Sequence, residues 1–338
     1  MSFDRYSRQE RFKPIGVQGQ EKLISKHVLV IGAGALGTSS AEQLVRGGVG
    51  KLTIVDRDYV EWSNLQRQQL FTEKDAKQRI PKAKAAESKL KEINSEVQIK
   101  GHIMDVQREE LERLIDGVDV VLDATDNFDT RMLVNDVCQK HRIPWIYGGC
   151  VGSHGMSFTI LPGETPCLQC LLESVPMGGA TCDTVGVISP AVQMVTAHQV
   201  AEALKILVDD KEALIGKFVM FDLWNHHYTT MKVDRAKRET CPSCGVHATY
   251  PYLSPEYQTK TAVLCGRDTV QIRPPSKMVR DLDEVRMSLV DGEVEQNPFL
   301  LSYKKGDHRM IFFKDGRVLI HGTKDVTEAR NLYHKIIG

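Results

Sequence analysis

Val28-Leu29-Val30-Ile31-Gly32-Ala33-Gly34-Ala35-Leu36-Gly37 decides how the chain is read. Four apolar residues run into a G-x-G-x-x-G spacing and then into helical composition. The first glycine permits a tight turn, the second lets backbone approach a phosphate, and the third allows a helix to pack closely on a strand. A helix opening there presents free N–H groups and a positive dipole end to an anion. Asp56 closes a second apolar run, Lys51-Leu52-Thr53-Ile54-Val55, nineteen residues after Gly37. That is where a Rossmann-type unit sets an acid on a ribose hydroxyl, roughly 20 residues on. Gly32, Gly34, Gly37 and Asp56 are therefore read as nucleotide-binding residues, with the nucleotide and the chemistry still open.

Outward from this stretch the chain alternates. Helix is expected over Ser39–Arg46, strand to Asp56, helix over Lys82–Ile93 with Ala83, Ala86, Leu90 and Ile93 on one face, strand over Val97–Val106 and a short helix over Arg108–Ile115. A buried strand, Val118–Ala124, runs into Thr125-Asp126-Asn127, an N-cap cluster for a helix over Asp129–Lys140. The βαβαβαβα pattern predicts a Rossmann-like, doubly wound parallel sheet. Asn64 and Arg67 follow the second strand, where an open α/β sheet binds ligands, and are candidate phosphate contacts. Lys82 falls in a helical first turn, against the dipole, which suits an anionic ligand as well as it suits a side chain reaching water. Asp126 is open between capping and holding a magnesium ion. Arg5, Arg8 and Arg11 in the arm over residues 1–26 read as a solvated face.

Beyond Pro144, strands are expected at Trp145–Tyr147 and Met156–Leu161, helix over Ser189–Leu207, and an antiparallel pair at Phe218–Leu223 and Thr229–Val233. Cys167 and Cys170 form one C-x-x-C pair, and Cys241 and Cys244 another. Two such pairs favour a tetrahedral four-thiolate zinc site over a redox dithiol. With four protein ligands the metal would be structural, stapling two remote segments. The division expected is 1–250, a linker 251–255, and a small α+β unit 256–338 with strands at 268–273, 299–304, 309–314 and 317–321 and helices at 278–290 and 325–337. Cys265 reads as a small buried apolar residue.

Charge excludes some classes. The 44 basic and 44 acidic residues among 338 cancel, so no basic field points to nucleic acid. No apolar run approaches the roughly 18 residues of a membrane span. The first residues, Met1-Ser2-Phe3-Asp4-Arg5, lack the apolar core of a secretion signal, and the cysteine usage suits a reducing compartment, so a cytoplasmic protein is expected.

Arg5-Tyr6-Ser7-Arg8-Gln9, the glycine loop, Asp56-Arg57-Asp58, Asn64-Leu65-Gln66-Arg67-Gln68, Pro81-Lys82, Asp123-Ala124-Thr125-Asp126-Asn127, both C-x-x-C pairs and Thr181-Cys182, in this order, resemble the ThiF/MoeB/HesA family of ubiquitin-activating-enzyme-like adenylyltransferases. The likeness covers roughly residues 3–247. It implies ATP-dependent adenylation of the C-terminal glycine of a small ubiquitin-like sulfur carrier ending in Gly-Gly, serving thiamine or molybdenum-cofactor synthesis. A sulfur donor such as a cysteine desulfurase would act afterwards. On this likeness Arg67 and Lys82 neutralise phosphates, Asp126 holds Mg2+, Asp56 holds the ribose, and Arg8 acts across a homodimer. Cys182 matches a cysteine that in some members links to the carrier during sulfur transfer. Two departures stand out: Ala35 replaces a glycine usual in the loop, and the C-terminal unit does not read as a rhodanese domain. The rival reading is an NAD-dependent oxidoreductase, which shares the glycine loop and Asp56 but leaves Arg67, Lys82 and Asp126 unexplained. A non-catalytic, zinc-stapled nucleotide scaffold is the third.

Overall fold

The computed structural model describes residues 4–174, 185–254, 261–264, 268–273 and 278–337. They form two compact units, each with its own sheet. In the first, β1 (His27–Ile31), β2 (Lys51–Asp56), β3 (Gln98–Ile103), β4 (Val120–Asp123), β5 (Trp145–Val151), β6 (His154–Ile160), β7 (Phe218–Asp222) and β8 (His227–Met231) lie in the order β3-β2-β1-β4-β5-β6-β7-β8. Pairing is parallel from β3 to β5 and antiparallel from β5 to β8.

β1 is wholly apolar after His27 because it is covered on both faces, as parallel strands are. Val28 and Val30 enter one core with Ala41 and Leu44 of the helix Ala35–Arg46, Ala86 and Leu90 of Lys82–Ile93, and Ala203 and Leu207 of Ser189–Leu207. Leu29 and Ile31 enter the opposite core with Leu111 of the helix Arg108–Leu114, Val134 and Val137 of Phe128–His141, and Trp145. The strand order reverses between β1 and β4, so the carboxyl ends of β1, β2 and β4 frame one crevice.

The helix after the glycine loop begins at Ala35, not Ser39, so Gly37 lies inside its first turn. A Cβ on Gly37 would stand 1.9 Å from the Gly32 carbonyl oxygen, so only glycine lets the helix start this close to the strand. Gly32 adopts φ +100°, open to glycine alone in practice.

Pro81 is the N-cap of Lys82–Ile93, one position before the N1 site at which proline also fits, and Lys82 is the first helical residue. Pro251–Leu253 folds as a 3-10 turn on the first unit: Leu253 joins the second core, Arg108 donates to its carbonyl, and the Tyr252 N–H donates to Asp136.

The ladder between β4 and β5 is only two pairs long, Val121 with Trp145 and Leu122 with Ile146. Beyond it two side chains take over. Gln199 Nε2 donates to the carbonyls of Asp123 (2.7 Å) and Ile146 (3.2 Å), and Arg131 Nη2 to those of Thr125 (2.6 Å) and Gly148 (3.1 Å).

His27 opens β1 from a buried position, with Nδ1 on the Gly117 carbonyl and Nε2 accepting from Thr53 Oγ1. Burial, then Lys51, lowers its pKa from 6.5 to about 4. The unfolded chain therefore takes up this proton first as pH falls. The stability tied to neutral His27 is complete above about 6.5 and is lost as pH drops towards 4. From pH 7 to pH 5 the urea-unfolding free energy should fall by about 2 kcal/mol more in the native chain than in His27→Gln. Equal falls would remove His27 from the acid sensitivity.

The second unit is an antiparallel sheet in the order β11-β12-β13-β14-β10-β9, formed by β9 (Thr261–Leu264), β10 (Thr269–Ile272), β11 (Glu293–Gln296), β12 (Leu300–Lys305), β13 (His308–Phe313) and β14 (Val318–His321). The helices Leu282–Ser288 and Val326–Ile337 pack on Val270, Leu301, Phe312 and Ile320. The first helix is shorter than the expected 278–290, and the strands β9 and β11 are additions to the expected set.

Candidate active site

The carboxyl ends of β1, β2 and β4 gather most of the residues singled out from sequence. Asp56 ends β2. Its Oδ2 accepts the Ala33 N–H at 2.6 Å and its Oδ1 the Asp58 N–H at 2.7 Å, which ties the glycine loop to the second strand. Burial pushes its carboxyl pKa up, while nearby Lys82 pulls it down. Lys82 is 4% exposed, with Nζ 3.6 Å from Asp58 Oδ2, and its backbone N–H donates to the Asp58 carbonyl. A lysine this buried, at a helix N-terminus and flanked by acids, is a cation held in place rather than a solvated one.

Asn64 is 2% exposed and closes the 3-10 turn Trp62–Asn64, its Oδ1 accepting the Glu61 N–H. The turn launches Arg67, which is half-buried and donates to the Ser63 carbonyl at 2.9 Å. Gln68, which the sequence reading passed over, is 4% exposed and lies against Gly34.

Asn127, not Asp126, caps the helix Phe128–His141, accepting from the Asp129 and Thr130 N–H groups. Asp126 is left exposed at the crevice. Its charge, with those of Asp105, Asp58 and Asp56, raises the pKa of half-buried Arg57 against the opposing pull of burial. Behind it, Asp123 is fully buried and accepts Arg131 Nε at 2.9 Å and both Thr125 groups, N–H and Oγ1. This ion pair joins residues on a strand and a helix, and no local pattern signals it.

Arg8 is not in this crevice. It lies exposed on the short helix Ser7–Glu10, between two anchors. The Tyr6 hydroxyl accepts from Asn94, and Gln9 donates to the Gly47 carbonyl, at the far end of the helix that the glycine loop begins. That helix spans about 18 Å. Cys182 and Cys265 lie outside the described residues.

The four C-x-x-C sulfurs converge. Cys167 Sγ is 3.7 Å from Cys241 Sγ, Cys170 Sγ is 3.7 Å from Cys244 Sγ, and all four lie within 4.8 Å of one another. Tetrahedral zinc with bonds of about 2.3 Å needs sulfurs about 3.8 Å apart, so the set fits that ion. Gly245 closes the knuckle, since a Cβ there would meet the Glu239 carbonyl at 2.3 Å.

The ThiF family model matches residues 6–243, a span holding the crevice and three of the four cysteines, Cys167, Cys170 and Cys241. This chain belongs to the ThiF family. Among the relatives of this ThiF-family chain, the sulfur carrier protein ThiS adenylyltransferase of Bacillus subtilis is 52% identical over 337 residues, covering 99% of both chains. The ThiS adenylyltransferase of Escherichia coli is 36% identical over 244 residues, covering 72% of this chain and 95% of its own. A crystal structure of E. coli MccB with ATP shares the fold, with a TM-score of 0.62 at 21% identity over 72% of this chain and 75% of that one.

Proposed function

We propose that this ThiF-family chain adenylylates the C-terminal glycine of a ThiS-like sulfur carrier ending in Gly-Gly, in the cytoplasm and for thiamine biosynthesis. The terminal carboxylate oxygen attacks the α-phosphorus of ATP. The bond from that phosphorus to the α–β bridging oxygen breaks, pyrophosphate leaves, and the carrier becomes an acyl-adenylate ready for a sulfur donor such as a cysteine desulfurase. One observation supports the reading: Lys82 and Asp126 lie close to the acids and Arg57 that follow β2, and Arg67 precedes the Gln68 that rests against Gly34, in a chain 52% identical over its length to a ThiS adenylyltransferase. The SAMP-activating enzyme of Haloferax volcanii, named for another carrier, is 37% identical over 72% of this chain, against 52% over 99% for the Bacillus subtilis ThiS enzyme. Hydride transfer would leave the two cations and Asp126 without a task.

In this reading the glycine loop seats the phosphates and Asp56 takes the ribose, as the loop-to-strand tie through Ala33 prepares it to do. Asn64 holds the turn that presents Arg67, and Arg67 and Lys82 draw charge from the leaving pyrophosphate. Asp126, exposed and free of capping, would hold Mg2+, which supplies further neutralisation of phosphate oxygens. The four cysteines would hold a structural Zn2+. Cys182 would take part in the later sulfur transfer, and the unit over 256–338 would be a separate domain.

Arg8 would serve the crevice of a partner chain in a homodimer, because its anchors fix it about one helix length from its own. The test is carrier-dependent exchange of labelled pyrophosphate into ATP. The native chain should exchange, while Arg8→Ala and Asp126→Ala should each lose at least about 100-fold, as removal of a transition-state charge partner does. Mixed chains of the two variants should regain part of the activity. No exchange with any Gly-Gly-ended carrier would end the adenylation reading; no recovery in verified mixed dimers would end the placement of Arg8.

A further inference from the structure

Gln68 is buried to within 4% of its surface, yet its carboxamide oxygen has no hydrogen-bond partner among the described residues. Its Nε2 lies 3.9 Å from the place a Cβ on Gly34 would take, so the carboxamide rests against the second glycine of the loop. The helix that opens there has no side-chain cap. Gln68 is held at this spot through its backbone, with its N–H on the Asn64 carbonyl and its own carbonyl accepting from Phe71. A buried acceptor left unmade is costly, and such groups are kept where a ligand completes them.

The missing partner must be a donor. Phosphate oxygens and a terminal carboxylate only accept, and the ribose hydroxyls face Asp56. Of the two peptide N–H groups in a Gly-Gly tail, that of the last residue stands beside the reacting carboxylate. Resting on the adenylation reading above, we infer that Gln68 recognises the carrier's terminal peptide group. Its oxygen accepts the last N–H and its Nε2 faces an anionic oxygen beside it. Gln68 is thereby a specificity residue that separates a peptide-borne glycine from carboxylates lacking that N–H.

The test uses two semisynthetic carriers that differ in one atom: one ends in glycine, the other in glycolic acid, with ester oxygen in place of the N–H. For the native chain, kcat/KM in pyrophosphate exchange should fall about 10-fold from amide to ester, the size expected when a buried acceptor loses its donor. In Gln68→Met, which keeps the volume but not the acceptor, the amide-to-ester ratio should collapse towards one. In Gln68→Glu, which keeps an acceptor, the ratio should persist at a lower overall rate. A general loss of folding would slow both carriers alike and leave the ratio unchanged. The inference is overturned if the native chain does not discriminate, or if Gln68→Met keeps the native ratio. A native chain that exchanges with neither carrier instead indicts the adenylation reading.

Discussion

Arg131→Met is expected to lose roughly 3–5 kcal/mol of stability, the cost of stranding one partner of a buried ion pair. Asp123 is fully buried, and Arg131 is its only cationic partner among the described residues. Burial alone would pull the guanidinium down, but Asp123, followed by Tyr147, holds its pKa above the ordinary value. The guanidinium also sits over the rings of Phe128 and Tyr147, 5.3 and 5.2 Å from their centroids, so the loss includes packing. The carbonyls of Thr125 and Gly148 lose their donor as well, which frees the segment carrying Asp126. Exchange activity should therefore fall further than the unfolded fraction explains. The double variant Asp123→Asn/Arg131→Met removes the stranded charge and should be more stable than Arg131→Met alone. Urea unfolding of the three proteins decides it: a loss under about 1 kcal/mol in the single variant would mean that the pair behaves as a surface bridge.

The second large effect concerns the four thiols. The native chain should carry about one zinc per chain, and Cys241→Ser should carry none, because a structural site uses all four ligands. Loss of the metal should cost at least about 4 kcal/mol, the linkage free energy of a ligand a thousandfold above its dissociation constant. Metal analysis with guanidinium unfolding, before and after chelation, measures both. Nucleotide binding by chains that stay folded should survive, since no coordination position is left for substrate. Retention of one zinc by Cys241→Ser, or an unchanged unfolding midpoint without metal, would dismiss the staple.

Local chemistry made part of this molecule legible. The apolar run before Gly32 is β1, the acid ending the next run is Asp56 against the loop, and the four C-x-x-C sulfurs meet. What escaped is non-local or disguised. Gly37 hid the start of its helix, because a glycine reads as a breaker while here it is a steric necessity against Gly32. The Asp123–Arg131 pair spans a strand and a helix, so no 3.6 or 2 period exposes it. Gln68 looked like one more polar residue in a polar stretch, and only its burial against Gly34 sets it apart. β11, Glu-Val-Glu-Gln, has the composition of a loop and is an edge strand with half its residues exposed.

The separation of the cysteine pairs also orders events during synthesis. Cys167 and Cys170 leave the ribosome with β1 to β6 already made, but Cys241 follows 71 residues after Cys170. At about 5–20 residues per second that is a wait of roughly 4–14 s. Through it the parallel half can close around the nucleotide crevice while two thiols stay bare. β7, β8 and the knuckle are made before the sulfurs can meet, so completion of this cluster comes late in the folding of the first unit, with only the turn Pro251–Leu253 still to dock.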